Sequence, residues 1–219
     1  MSSPAVAAVT AHDHDLVWKA AQRAEEWAGE LRVNLIRLVA ITCFYAHHLV
    51  NYYVRDLPNL TSQYHLIVSG IAVAWVGAAL ALHTQLIRRR NPSWAKYAAV
   101  AWDAFMTTSL LIFTDGPQSI FLVLLLLIIA TASLRIHLRL VWVASLLAVL
   151  SYGVVCGHSR WVRPDWRVPV HHHVVFLMAL GTAGLLAGQA VRQTRRFAQD
   201  YRDRVKIAEG ADRTDPPVD

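Results

Sequence analysis

Apolar residues gather along this chain into six stretches, residues 33–54, 64–87, 95–114, 119–134, 138–157 and 170–191, with short polar segments between them. A helix needs about 20 mainly apolar residues to cross roughly 30 Å of hydrocarbon. The pattern therefore predicts an all-α, polytopic integral membrane protein, a bundle of six transmembrane helices. The fourth stretch is the most apolar, with no polar side chain from Ile120 to Ala130. Only Asp115-Gly116-Pro117-Gln118 joins the third to the fourth, a turn short enough to force an antiparallel hairpin.

Two amphipathic segments flank the bundle. In residues 1–32, Leu16, Ala20, Ala24, Trp27 and Leu31 recur at helical spacing opposite Lys19, Arg23, Glu26 and Glu30. This segment is expected to lie along the membrane interface. In residues 192–209, Thr194, Ala198, Tyr201, Val205 and Ala208 continue from Val191 by threes and fours, with charged flanks. That tail reads either as a solvated helix or as a coiled-coil stub that dimerises the protein. Gly210 is expected to end the helix and leave 210–219 disordered. No repeat of fixed period is present.

Composition agrees with a membrane protein. Hydrophobic residues make up 55% of the chain and charged residues 16%, against roughly a quarter charged in soluble domains. Residues 1–10 lack the basic and apolar regions of a cleavable signal peptide, so the first span is expected to act as its own insertion signal. Basic residues alternate between loops. Lys19, Arg23, Arg32, Arg88, Arg89, Arg90, Lys96, Arg135, Arg139, Arg192, Arg195 and Arg196 fall on one side, and only Arg55, Arg160, Arg163 and Arg167 on the other. The positive-inside rule then places both termini in the cytoplasm of a bacterial inner membrane. The net charge of +6 is thus a topology signal, and no nucleic-acid partner is expected. The lipid bilayer is the first partner, joined by a homodimeric copy or a signalling protein.

Polar residues inside spans are costly and so mark candidate sites. Arg37 in the first span and Asp103 in the third are expected to form an intramembrane ion pair, because each keeps the other charged and hydrogen-bonded. Histidines are the second signal. His47, His48, His65, His158, His171, His172 and His173 all map toward the outer side, and His83 and His137 toward the inner. Imidazole binds transition metals and haem iron and titrates near neutral pH. His47, His65, His171, His172 and His173 are therefore candidate metal ligands, although consecutive residues point about 100° apart on a helix and cannot all face one site. Hydrogen bonds to backbone or water explain single interface histidines equally well. His12-Asp13-His14-Asp15 is a weak metal motif near a terminus. Cys43 and Cys156 form no CxxC and read as small buried residues. No phosphate-binding loop, HExxH, GxSxG, kinase or cyclase motif is present, and no enzyme activity is expected.

Four features resemble the six-helix membrane input domain of bacterial sensor histidine kinases, in particular the redox-responsive, quinone-sensing kinases. There are six short-looped spans, and an Arg sits early in the first (Leu35-Ile-Arg37-Leu-Val-Ala40). The short turn Thr114-Asp-Gly-Pro-Gln-Ser-Ile-Phe121 joins the third span to the fourth, and a basic helix leaves the last (Gly188-Gln-Ala-Val-Arg-Gln-Thr-Arg-Arg-Phe197). In the quinone-sensing members that turn carries Gly-Gly-x-x-Asn-Pro-Phe; Gly116 and Phe121 match, and Asp115, Ser119 and Ile120 depart. The resemblance spans about residues 32–198 and implies a quinone or other ligand site at Asp115, Gly116, Gln118 and Phe121; among the outer histidines, His47 and His48 are candidates to bind the same kind of ligand. It excludes a kinase core, since no phospho-accepting His box or ATP-binding boxes are present. The chain is expected to be a stand-alone relative or the input part of a longer protein.

Three functions fit. The first is a signal-input module that senses a ligand, quinone or pH and acts through its C-terminal helix. The second is a redox membrane protein holding haem or a transition metal on the outer histidines. The third is a transporter or a structural subunit of a membrane complex.

Overall fold

The computed structural model describes residues 4–54, 61–88, 94–166 and 168–212, of which 4–23, 25–26, 202 and 206–212 are described by backbone alone. Those residues are all helix and connecting turn. Six α-helices follow in order: α1 (Pro4–Tyr53), α2 (Ser62–Ile87), α3 (Ala95–Phe113), α4 (Val123–Ser133), α5 (Leu138–Trp161) and α6 (Val170–Asp212). Short 3-10 turns lie at Gly116–Gln118, Ile120–Leu122 and Pro164–Trp166.

Four segments are long and apolar enough to cross a membrane: Trp27–Tyr53, Ser62–Ile87, Leu138–Trp161 and Val170–Val205. α3 has 19 residues and carries Lys96 and Asp103. α4 has only 11, and the apolar helical stretch around it, Ile120–Ser133, rises about 20 Å at 1.5 Å per residue. The fourth expected span therefore has its predicted limits but a shorter regular helix. Ser119 is extended, and its hydroxyl accepts from the Phe121 N–H, which tightens the entry into a 3-10 turn.

Two boundaries differ from expectation. α1 passes residues 32 and 33 without a break, so the amphipathic segment expected as a separate interfacial helix is the N-terminal part of α1. No proline lies between Pro4 and Pro58 to interrupt it. α6 runs to Asp212, two residues past Gly210, where the helix was expected to stop. A single Gly is tolerated within a helix at a cost of about 1 kcal/mol. Residues 213–219 and the side chains of His12-Asp13-His14-Asp15 lie outside the described residues.

The chain forms two compact units, Met1–Ala98 and Ala99–Asp219. In the first, α1 and α2 pack antiparallel along a seven-residue seam. Trp27 Nε1 donates to the Leu86 carbonyl (2.9 Å), Asn34 Nδ2 to the Ala79 carbonyl (3.0 Å), and His48 Nε2 lies 3.1 Å from His65 Nδ1. Ile41, midway between Asn34 and His48, is buried. Residue numbers rise by sevens on α1 while those of their partners fall on α2, as in a coiled-coil seam. Each polar contact satisfies a group that hydrocarbon would leave unpaired. The Trp27 bond also caps one of the last carbonyls of α2.

In the second unit α5 packs against α4 and α6. Its buried face reads Leu140, Val141, Ala144, Ala148, Ser151, Tyr152, Val155 and Ser159, a helical stripe rich in small residues. Facing it, Gly184 sits so close that a Cβ there would stand 2.6 Å from Ser145 Oγ. Such close approach is how apolar helices associate in a bilayer, where the hydrophobic effect supplies little.

Candidate functional site

The end of α1 and the start of α2 carry an aromatic cluster. His48 is buried and lies 3.1 Å from His65, with ring centroids 5.2 Å apart and planes 15° apart. His65 also stacks on Tyr52 at 4.1 Å and 10°, and Tyr45, Tyr53 and Tyr64 pack around the two imidazoles. One further polar tie, Tyr45 Oη to Ser69 Oγ at 3.0 Å, stands one turn before His48. His47, a candidate ligand like His65, turns away: it is exposed, and its Nε2 accepts from Asn51 Nδ2 at 3.0 Å. The cause is rotation of about 100° per residue. His48 falls on the repeat begun by Trp27 and Asn34; His47 does not.

Arg37 and Asp103 are both buried, at 8% and 7% exposure. Arg37 Nη1 donates to Asn34 Oδ1 at 2.8 Å, so the arginine joins the α1–α2 seam through Asn34. Asp103 belongs to the second unit, which is described on its own.

The turn after α3 is folded under a tryptophan. Gly116 has φ +58°, a left-handed conformation natural to glycine, and a Cβ there would meet Trp166 Cε3 at 3.2 Å. Gly116 and Pro117 are buried, Asp115 and Gln118 exposed, and Phe121 half-buried. Thr114 Oγ1 donates to Ser119 Oγ at 3.2 Å, closing the turn on itself. The Arg163 guanidinium lies 4.8 Å over the Trp166 ring. The glycine expected to approach a ligand thus already carries an indole.

The start of α6 separates its three histidines. His171 and His172 are exposed, with rings 5.1 Å apart. His173 is half-buried against α5, where its Nδ1 lies 2.9 Å from Tyr152 Oη and 3.4 Å from Cys156 Sγ. Among the described residues, no three His, Cys, Asp or Glu side chains are placed to hold a metal. Tyr152 and Trp166 were missed at the sequence level, because a Tyr in an apolar run and a Trp near a span end both read as ordinary membrane residues.

At the other end of α6, Arg195 Nε donates to the Ile136 carbonyl at 3.0 Å. Ile136 has φ +53°, alone among described non-glycine residues in the left-handed region. This tie fastens the tail to the turn between α4 and α5.

Long apolar helices joined by sparse buried polar contacts define an all-helical, multi-pass membrane domain. The chain belongs to the PilS-like transmembrane domain family, a six-transmembrane family that it matches over residues 21–195. No curated protein and no solved structure matches it. Membership agrees with the six-helix sensor-kinase input domain that the sequence resembles, and suggests a membrane sensory input module.

Proposed function

We propose that this chain is a signal-input module that converts a change within its helices into movement of its C-terminal helix, which acts on a partner or an output domain. The observation that carries this reading is the continuity of α6. One uninterrupted helix of 43 residues runs from the histidine-bearing turn at Val170 to Asp212. It is held near its start by His173 and beyond its apolar part by Arg195. A helix with no joint passes a rotation or shift at one end to the other. The module acts from a bacterial cytoplasmic membrane with both termini inside, works as a homodimer through the tail, and has no catalysis of its own.

The input favoured by geometry is protonation at His48–His65. Two ring nitrogens 3.1 Å apart share a hydrogen bond only while one of them donates and the other accepts, so protonating both rings removes the acceptor and sets two positive rings against each other. The test is a spin label at Ala198, read between pH 5 and pH 8 in nanodiscs. The reading predicts a pH-dependent spectrum that becomes flat in His48→Gln/His65→Gln. A spectrum indifferent to pH in the unmodified protein rejects proton input.

Quinone is the second input, favoured by the aromatic ring already seated on Gly116. A quinone head group would compete with Trp166 there. Added short-chain ubiquinone should quench Trp166 fluorescence and shift the Ala198 spectrum; no response at saturating quinone removes this reading.

A further inference from the structure

Tyr152, Cys156 and His173 bring three different donor atoms to one point between α5 and α6. Tyr152 and Cys156 are one turn apart on α5 and so share a face. His173 Nδ1 meets both, at 2.9 Å from the phenol oxygen and 3.4 Å from the sulfur. An imidazole nitrogen has one lone pair or one N–H, so it cannot make a full hydrogen bond to each. Tyr152 is nearly inaccessible, at 3% exposure, while Cys156 and His173 are half-buried.

We propose that Cys156 and His173, with Tyr152 as third ligand, form a binding site for a thiophilic d10 cation, Zn2+ or Cu+. Metal–sulfur and metal–nitrogen bonds of about 2.3 and 2.0 Å would span the observed sulfur–nitrogen separation at an angle of roughly 100°. The nitrogen–oxygen separation corresponds to roughly 90° with bonds of about 2.0–2.2 Å. Both angles suit four-coordination, and three protein ligands leave one position open for water or a diffusible ligand. Thiolate and imidazole select zinc or copper over magnesium and calcium, which prefer all-oxygen shells. A thiol at a helix interface in a membrane is neutral, and the bound ion is what offsets the cost of ionising it there. Binding expels the thiol proton, and the Tyr152 oxygen gives up its phenol proton on ligating a dication, so affinity rises with pH. His171 and His172, exposed on the same turn, give incoming ions a first foothold. The site stands whether or not the tail carries a signal.

Cobalt supplies a visible probe of such a site. The chain has two cysteines, so Cys43→Ser leaves Cys156 as its single thiol. Purified Cys43→Ser protein in nanodiscs, titrated with Co2+, should show a near-ultraviolet thiolate-to-cobalt band saturating near one equivalent. Adding Cys156→Ser or His173→Asn should abolish the band and weaken binding at least tenfold; His171→Asn/His172→Asn should keep it. Zinc or cuprous ion should displace the cobalt. Cobalt binding without a thiolate band in Cys43→Ser, or a band lost in His171→Asn/His172→Asn, overturns the proposal and leaves adventitious binding by the histidine run. The Cys43→Ser spectrum decides the matter even if a ligand variant fails to fold.

Discussion

Asn34 is completely buried and uses both ends of its amide, donating to the Ala79 carbonyl and accepting from Arg37. Asn34→Ala removes both bonds and leaves the arginine without that acceptor. Single interhelical hydrogen bonds in membranes average about 0.6 kcal/mol, and bonds to charged groups about 1.5–3. We expect a loss of about 1–2 kcal/mol, measured by SDS-induced unfolding. Gly184 makes a sharper case. A larger side chain there meets Ser145, so Gly184→Leu should destabilise by about 1–3 kcal/mol. Ser145→Gly in the same protein should restore part of that loss, because it removes the atom the leucine strikes. No rescue would mean that the α5–α6 contact is not the cause. The same scale shows why the candidate site was only partly legible. A list of histidines contains His48 and His47 equally; the seven-residue seam separates them, and it emerges only when α1 is laid against α2.

Among elements, the turn between α4 and α5 is the strained one. A β-branched residue at φ +53° pays roughly 1–2 kcal/mol for its left-handed backbone. Ile136→Gly should therefore raise stability by about 1 kcal/mol, read as a higher midpoint in the same unfolding assay. Arg195→Ala leaves the strain and removes the tie, so it should loosen the tail, seen as faster amide exchange around residues 194–200. The apolar stretches predicted α2, α3 and the starts of α5 and α6 well. They predicted the limits of the fourth span but not that its regular helix starts only at Val123, because hydropathy records how apolar a segment is, not where a serine side chain tightens the backbone. The ends of α1 and α6 were hidden for a related reason. A change from apolar to charged composition marks the membrane surface, and a helix can cross it unbroken when no proline or cap intervenes.

At the scale of the whole molecule, six apolar segments and family membership establish a multi-pass helical domain. That architecture was legible in the sequence because a long apolar run in hydrocarbon must satisfy its own backbone hydrogen bonds, which it does as a helix. The signal was not legible, since the groups that would receive it are ordinary histidines and a glycine whose neighbours come from elsewhere in the chain. The central claim is that α6 carries a change in the bundle to its tail between paired copies. Disulfide crosslinking of Ala198→Cys and Tyr201→Cys, in a background of Cys43→Ser and Cys156→Ser and in native membranes, tests this most directly. The account predicts crosslinked dimer at one or both positions, with a yield that changes between pH 5 and pH 8 and ceases to change in His48→Gln/His65→Gln. Monomer alone at both positions under all conditions would contradict it.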